Sequence, residues 1–97
     1  MDIDKILAER EKAHGAYKTH AEISQWLKNV LRYGENWDRM PAPYRESLEM
    51  IMHKVARILN GNIHHEDSWM DIAGYAMLIV RELERDRKGE KIENGDT

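Results

Sequence analysis

The sequence predicts an all-α protein, a small bundle of three long helices with a short one in front. Three observations carry that expectation. The chain has no phenylalanine and is rich in Glu, Lys, Arg, Leu, Met and Ala, the stronger helix formers. Its apolar residues recur at spacings of three and four instead of alternating. Gly, Pro and Asn fall between the periodic runs, where helices start and stop. At 97 residues, 41% of them hydrophobic, with a net charge of −3, the chain suits one folded domain and not a disordered tract.

The first helix carries Ile3, Ile6 and Leu7 at helical spacing and ends near His14-Gly15, because Gly suits a helix C-terminus better than an interior. Thr19-His20-Ala21-Glu22 reads as a capping box that opens the second helix. Its stripe is Ile23, Trp26, Leu27, Val30 and Leu31, and it ends at Tyr33-Gly34. A loop holding Pro41 and Pro43 leads to the third helix, whose apolar positions are Tyr44, Leu48, Ile51, Met52, Val55, Ile58 and Leu59. Asn60-Gly61-Asn62 stops it. The fourth helix opens around Asp67-Ser68, with Trp69, Ile72, Ala73, Ala76, Ile79, Val80 and Leu83 on one face. These boundaries imply a single helical domain over 1–88. Residues 89–97 are expected to be a charged, disordered tail, since apolar positions run out after Leu83.

Several function classes are excluded. Without cysteine there is no disulfide framework, thiolate zinc site or cysteine nucleophile. No apolar run approaches the roughly 18 residues that span a bilayer. The first segment, with Asp2, Asp4 and Glu9, does not read as a secretion signal, so a cytoplasmic protein with no membrane partner is expected. The charge balance lacks the basic excess that long nucleic acid demands, although a local patch can still take a small phosphate.

Chemistry must come from polar residues outside the stripes. Glu46, Glu49, His53 and Arg57 share one face of the third helix, with Lys54 beside it. Asp71 and Tyr75 lie one turn apart on the fourth, with Gly74 between them, where a close helix crossing or ligand would explain the missing side chain. Glu46, Glu49 and Asp71 form a candidate magnesium set, since carboxylates from facing helices hold divalent metals in bundles. The same acids equally suit helix-dipole complementation and surface pairing. His14-Gly15-Ala16-Tyr17, with Lys18 and His20, makes a polar and aromatic turn next to a helix N-terminus, a place for an anion or an ordinary interhelical turn. The cluster His64-His65-Glu66-Asp67 reads as a solvated loop. Of the three tryptophans, Trp37 in the loop is the one placed to stack on a base.

The run from Glu46 to Asn60 (ESLEMIMHKVARILN), the run from Asp67 to Leu78 (DSWMDIAGYAML) and the upstream His14-Gly-x-Tyr17 resemble a family of short phage and prophage proteins of unassigned function, across about residues 5 to 83. The specific parts are Lys54-x-x-Arg57 and Asp71-Ile-Ala-Gly-Tyr75. More distantly, the chain is similar to phage nucleotide-modification-associated domains and to the MazG-like all-α nucleoside triphosphate pyrophosphatases. In the MazG-like pattern, Glu-x-x-Glu on one helix and Glu-x-x-Asp on the next bind magnesium. One register places these on Glu46 and Glu49 and on Ser68 and Asp71, with Ser68 where the pattern has a glutamate. The other sets Lys54 and Arg57 against the first pair, which removes the metal site and leaves bases to grip phosphates directly, or to lock the helices by pairing with Asp71.

The resemblance implies a MazG-like bundle in a bacterial host cell, homo-oligomeric, that handles a nucleotide or its phosphates. Asp71 is the catalytic or metal-binding candidate, with Glu46 and Glu49 as further magnesium ligands. His14, Tyr17, Lys54, Arg57 and Tyr75 are the substrate-binding candidates. The implied reaction is magnesium-assisted cleavage of a nucleoside triphosphate to monophosphate and pyrophosphate. Two rivals remain open: a non-catalytic binder that sequesters a nucleotide signal of host defence, and an interaction module that uses Met50, Met52 and Trp37 as its contact surface.

Overall fold

The first helix begins at a cap the sequence supplies: the Asp2 carboxylate accepts from the Lys5 backbone N–H at 3.1 Å. The computed structural model describes residues 2–93, and these form helices joined by short turns, with no strand. The elements are α1 (Ile3–His14), α2 (Tyr17–Leu31), a 3₁₀ turn (Trp37–Arg39), α3 (Ala42–Asn60) and α4 (Glu66–Glu93). The 3₁₀ turn adds a helical element that the periodicity did not predict, and α1, at 12 residues, is nearly as long as the 15-residue α2.

Three boundaries depart from expectation. α2 starts at Tyr17 and takes no side-chain cap, so Thr19 lies inside the helix and the predicted capping box does not form. The cause is tertiary. Gly15 ends α1 at φ +78°, and the Asn60 amide donates to the carbonyls of His14 (2.9 Å) and Ala16 (3.0 Å), which turns the chain straight into α2. α4 starts one residue before the expected Asp67, so that Ser68 is an interior, buried residue and no cap. It also continues to Glu93, past the expected end near Lys88 and through Gly89, after a turn braced by an Arg85–Glu82 ion pair. Residues 94–97 of the expected tail lie outside the described residues.

α3 is the central element. It packs along α2 on one side and α4 on the other, while α1 touches α2 and α3 more sparingly. This accounts for the half-burial of nearly every α3 residue: two neighbours cover it from two directions, and neither covers it fully. Among the described residues only Trp37 and Ala56 are buried apolar side chains, joined by the buried polar His20, Ser24, Ser47 and Ser68. The stripes are accordingly only partly covered. On α4, Ile72, Tyr75 and Ile79 are half-buried, whereas Trp69, Ala73, Ala76, Val80 and Leu83 from the predicted inner face are exposed. Trp37 is not a free stacking ring: it is buried, the Arg45 guanidinium lies 5.7 Å from its centroid, and Arg45 Nε donates to the Trp37 carbonyl at 3.0 Å. With Met50 and Met52 half-buried as well, the contact surface proposed for α3 and the loop is largely spent inside the fold.

Candidate functional site

The end of α1 and the end of α3 meet at a tight corner. A Cβ on Gly15 would overlap the Asn60 carbonyl, and one on Gly61 would overlap the Ala13 carbonyl, so both positions need glycine. Asn62 N–H donates to the Ala13 carbonyl at 2.8 Å and completes the joint. That joint sets the α1–α2 turn against one side of α3 and opens a cleft of about 500 Å³ there.

Its lining comes from three helices: Leu7, Arg10 and Glu11 from α1, then His14, Gly15 and Tyr17 from the turn, His20 from α2, and His53 and Arg57 from α3. The imidazoles lie close together. His20 and His53 meet edge to face at 4.6 Å between centroids, and His14 meets His65 in the same way at 5.0 Å. Tyr17 lies 6.2 Å from His20 at the edge of the cleft and is 80% exposed, so its ring is open to solvent there. The Nδ1 atoms of His14 and His20 are buried and have no protein hydrogen-bond partner. Arg57 makes no ion pair among the described residues, nor does Arg10, and Glu11 is the single carboxylate of the lining.

Electrostatically the cleft is positive. His53 is pushed down to about 4, first by burial and then by His20, Arg57, Lys28 and Lys54. Burial and then Arg57 lower His14 and His20 as well. All three imidazoles are therefore neutral near pH 7, able to offer an N–H, and surrounded by fixed cations. Such a lining suits an anion with several acceptor oxygens.

The remaining predicted residues are distributed elsewhere. Lys54, only 12% exposed in its side chain, pairs with Asp71 at 2.9 Å and ties α3 to α4. That hydrogen bond and charge hold the Asp71 carboxyl below its usual range. Glu49 pairs with Arg32 at 3.7 Å. Glu46 borders a separate groove between α3 and α4 with Ser47, Tyr75 and Arg85. Glu46, Glu49 and Asp71 thus face three different sets of neighbours, and no group of three or more His, Asp or Glu among the described residues is arranged to hold a metal ion. The acids that spacing suggested as a magnesium set are thus not brought together by the fold of one chain. At Gly74 the expected close helix crossing is not made, since nothing from another element among the described residues lies within 4 Å of where its Cβ would be.

The sequence profile of one family matches residues 3–83, from the first residue of α1 to almost two thirds of the way along α4. The chain belongs to the domain of unknown function DUF6378. No curated protein and no solved structure matches it. All the cleft residues of this DUF6378 chain, with Lys54 and Asp71, lie inside the matched span, and α4 beyond Leu83 lies outside it. Of the residues singled out in the sequence, His14, Tyr17 and Arg57 come together, Lys54 and Asp71 form a pair with each other, and Tyr75 lines grooves along α4. His20 and His53, seen in the sequence in the polar turn and on the α3 face but not among the substrate-binding candidates, line the cleft as well, together with Arg10 and Glu11. The signals were present: His53 and Arg57 are one turn apart, and extending the α2 stripe back one turn lands on His20 and Ser24. No helix is long and apolar enough to cross a membrane among the described residues.

Proposed function

We propose that this DUF6378 chain binds a nucleotide, gripping its phosphates directly in the cleft between α1, α2 and α3. The observation that carries this reading is the unpaired Arg57 guanidinium sharing one cavity with His14, His20 and His53 and with the open Tyr17 ring. Arg57 and Arg10 supply charge, the imidazoles supply N–H donors, and Tyr17 supplies a face on which a base stacks. The similarity to phage nucleotide-handling and MazG-like proteins supports a nucleotide over a bare inorganic anion. So does the register in which Lys54 and Arg57 replace the metal-binding acids. In this reading Arg57 holds phosphate, Lys54 adds long-range positive charge while anchored to Asp71, and binding needs no magnesium.

Calorimetric titration of the full chain with a panel of nucleoside mono-, di- and triphosphates, with and without magnesium, tests it. Binding that is independent of magnesium and at least about 10-fold weaker in Arg57→Ala is expected, since a charge-assisted contact is worth on the order of 1.5–3 kcal/mol. Absence of binding by every nucleotide at millimolar concentration would refute the reading. Pyrophosphate release that requires magnesium and disappears in Asp71→Asn would replace it with the hydrolytic one.

A further inference from the structure

We infer that α4 is the seam of an antiparallel homodimer, in which the row Glu66, Trp69, Ala73, Ala76, Val80, Leu83 and Arg87 packs against the same row of a second copy. These positions alternate in steps of three and four, the seven-residue repeat that keeps one seam facing a partner helix over several turns. The row lies beside, and distinct from, the Ser68, Ile72, Tyr75 and Ile79 row that α3 covers. No described residue covers it: Trp69 is 54% exposed, Val80 43% and Leu83 46%, and Ala73 and Ala76 are exposed as well. Met70 and Met77, also exposed, flank it on the side away from Ile72 and Ile79.

Two further observations argue for a second copy of this chain as the occupant. The first is area. The chain exposes 7,699 Å² at 11.4 kDa, where a compact monomer of that mass exposes roughly 5,800 Å². The excess, on the order of 1,900 Å², exceeds the roughly 800 Å² per partner that a standard interface removes. The second is charge. Glu66 and Arg87 stand at opposite ends of the row, about 31 Å apart along the helix axis, and neither has an ion-pair partner among the described residues. A two-fold axis at Ala76 places Glu66 of each copy opposite Arg87 of the other. It also sets Trp69 across from Leu83 and Ala73 across from Val80, large against medium and small against medium, with the two Ala76 residues at closest approach. A parallel pairing would instead oppose Glu66 to Glu66 and Arg87 to Arg87. None of this depends on what occupies the histidine cleft.

Sedimentation and oxidative crosslinking of the full chain test the inference together. The wild type is expected to sediment as a dimer, with Glu66→Arg or Arg87→Glu weakening dimerisation about 10-fold or more and the double exchange restoring it. Because the chain has no cysteine, Ala76→Cys gives a clean reporter that should oxidise to a covalent dimer, while Leu78→Cys on the far side of the same helix should not. A monomeric wild type, crosslinking through Leu78→Cys in place of Ala76→Cys, or a double exchange that fails to restore association would each overturn it. Folding of each variant is read from its helical circular dichroism, and the crosslinking arm holds even if a charge variant is less stable.

Discussion

His53 stands one turn from Arg57, edge-on to His20, in surroundings that hold it at about 4. With His14 and His20 it binds a proton less readily in the folded chain than in the unfolded one, whose histidines titrate near 6.5. The unfolded state therefore takes up more protons below that value. Stability that is full above about pH 6.5 is lost as pH falls toward 4. A melting temperature that drops between pH 6.5 and 5, less steeply in His53→Gln, is the expected result, measured by circular dichroism. A bound anion acts in the opposite direction on the same groups, because its charge stabilises imidazolium. Nucleotide binding should accordingly take up protons near pH 6, seen as a difference in heat between buffers of unlike ionisation enthalpy, and His53→Gln should reduce it. At this scale the sequence marked His14, Tyr17 and Arg57 by residue type as binding candidates, whereas His20 stood only as a neighbour in the polar turn. A histidine on an inner face is distinguishable from a core residue only when the cations around it are placed, and for His20 and His53 those are Arg57 and Lys54 from α3 and Lys28 from the far end of α2.

Helix ends show which local signals survive packing. The stops at His14-Gly15 and Asn60-Gly61 are written into the chain, and the structure uses them twice, as terminators and as the surfaces of one joint. Alanine at Gly15 must adopt a left-handed φ and meet the Asn60 backbone, so Gly15→Ala should cost on the order of 1–3 kcal/mol in urea unfolding. Gly74 is the counterexample. No described residue from another element lies within 4 Å of a Cβ there, so Gly74→Ala should stabilise the chain by about 0.5–1 kcal/mol through helix propensity alone. Loss of stability there would show a close approach that this chain by itself does not make. The capping box at Thr19 failed for a related reason. A cap contributes on the order of 1 kcal/mol, and the Asn60 amide, with two carbonyl acceptors, starts α2 earlier.

The whole molecule measures 59 × 30 × 25 Å, with a radius of gyration of 17.6 Å where about 12.5 Å is usual for this length. Its helices leave much of their apolar surface uncovered, Trp26 and Val30 on α2 as well as the α4 row. A chain of this size draws only modest stability from its own core. Its unfolding should therefore depend on protein concentration, the melting temperature rising as concentration rises, as mass action requires when folding and association are linked. A melting temperature constant across a hundredfold dilution would count against association. Tertiary layout was the least legible level. Periodicity gives the angular width of an apolar face, and the face of α4 spans two rows, but periodicity does not say which row a neighbour in the same chain will cover.

What the sequence determined by itself was local and cumulative: an all-α chain, four amphipathic α-helices, and glycine and asparagine punctuation accurate to a residue or two. Helical periodicity and backbone freedom act within a few residues, so they can be read without a fold. What only the tertiary structure decided was company. It placed Arg57 with three imidazoles, assigned Lys54 to Asp71, separated Glu46 from Glu49, and left one row of α4 open. The physical reason is that charge and burial act through space across distances the chain's spacing does not encode, so a side chain's chemistry is set by neighbours from other helices.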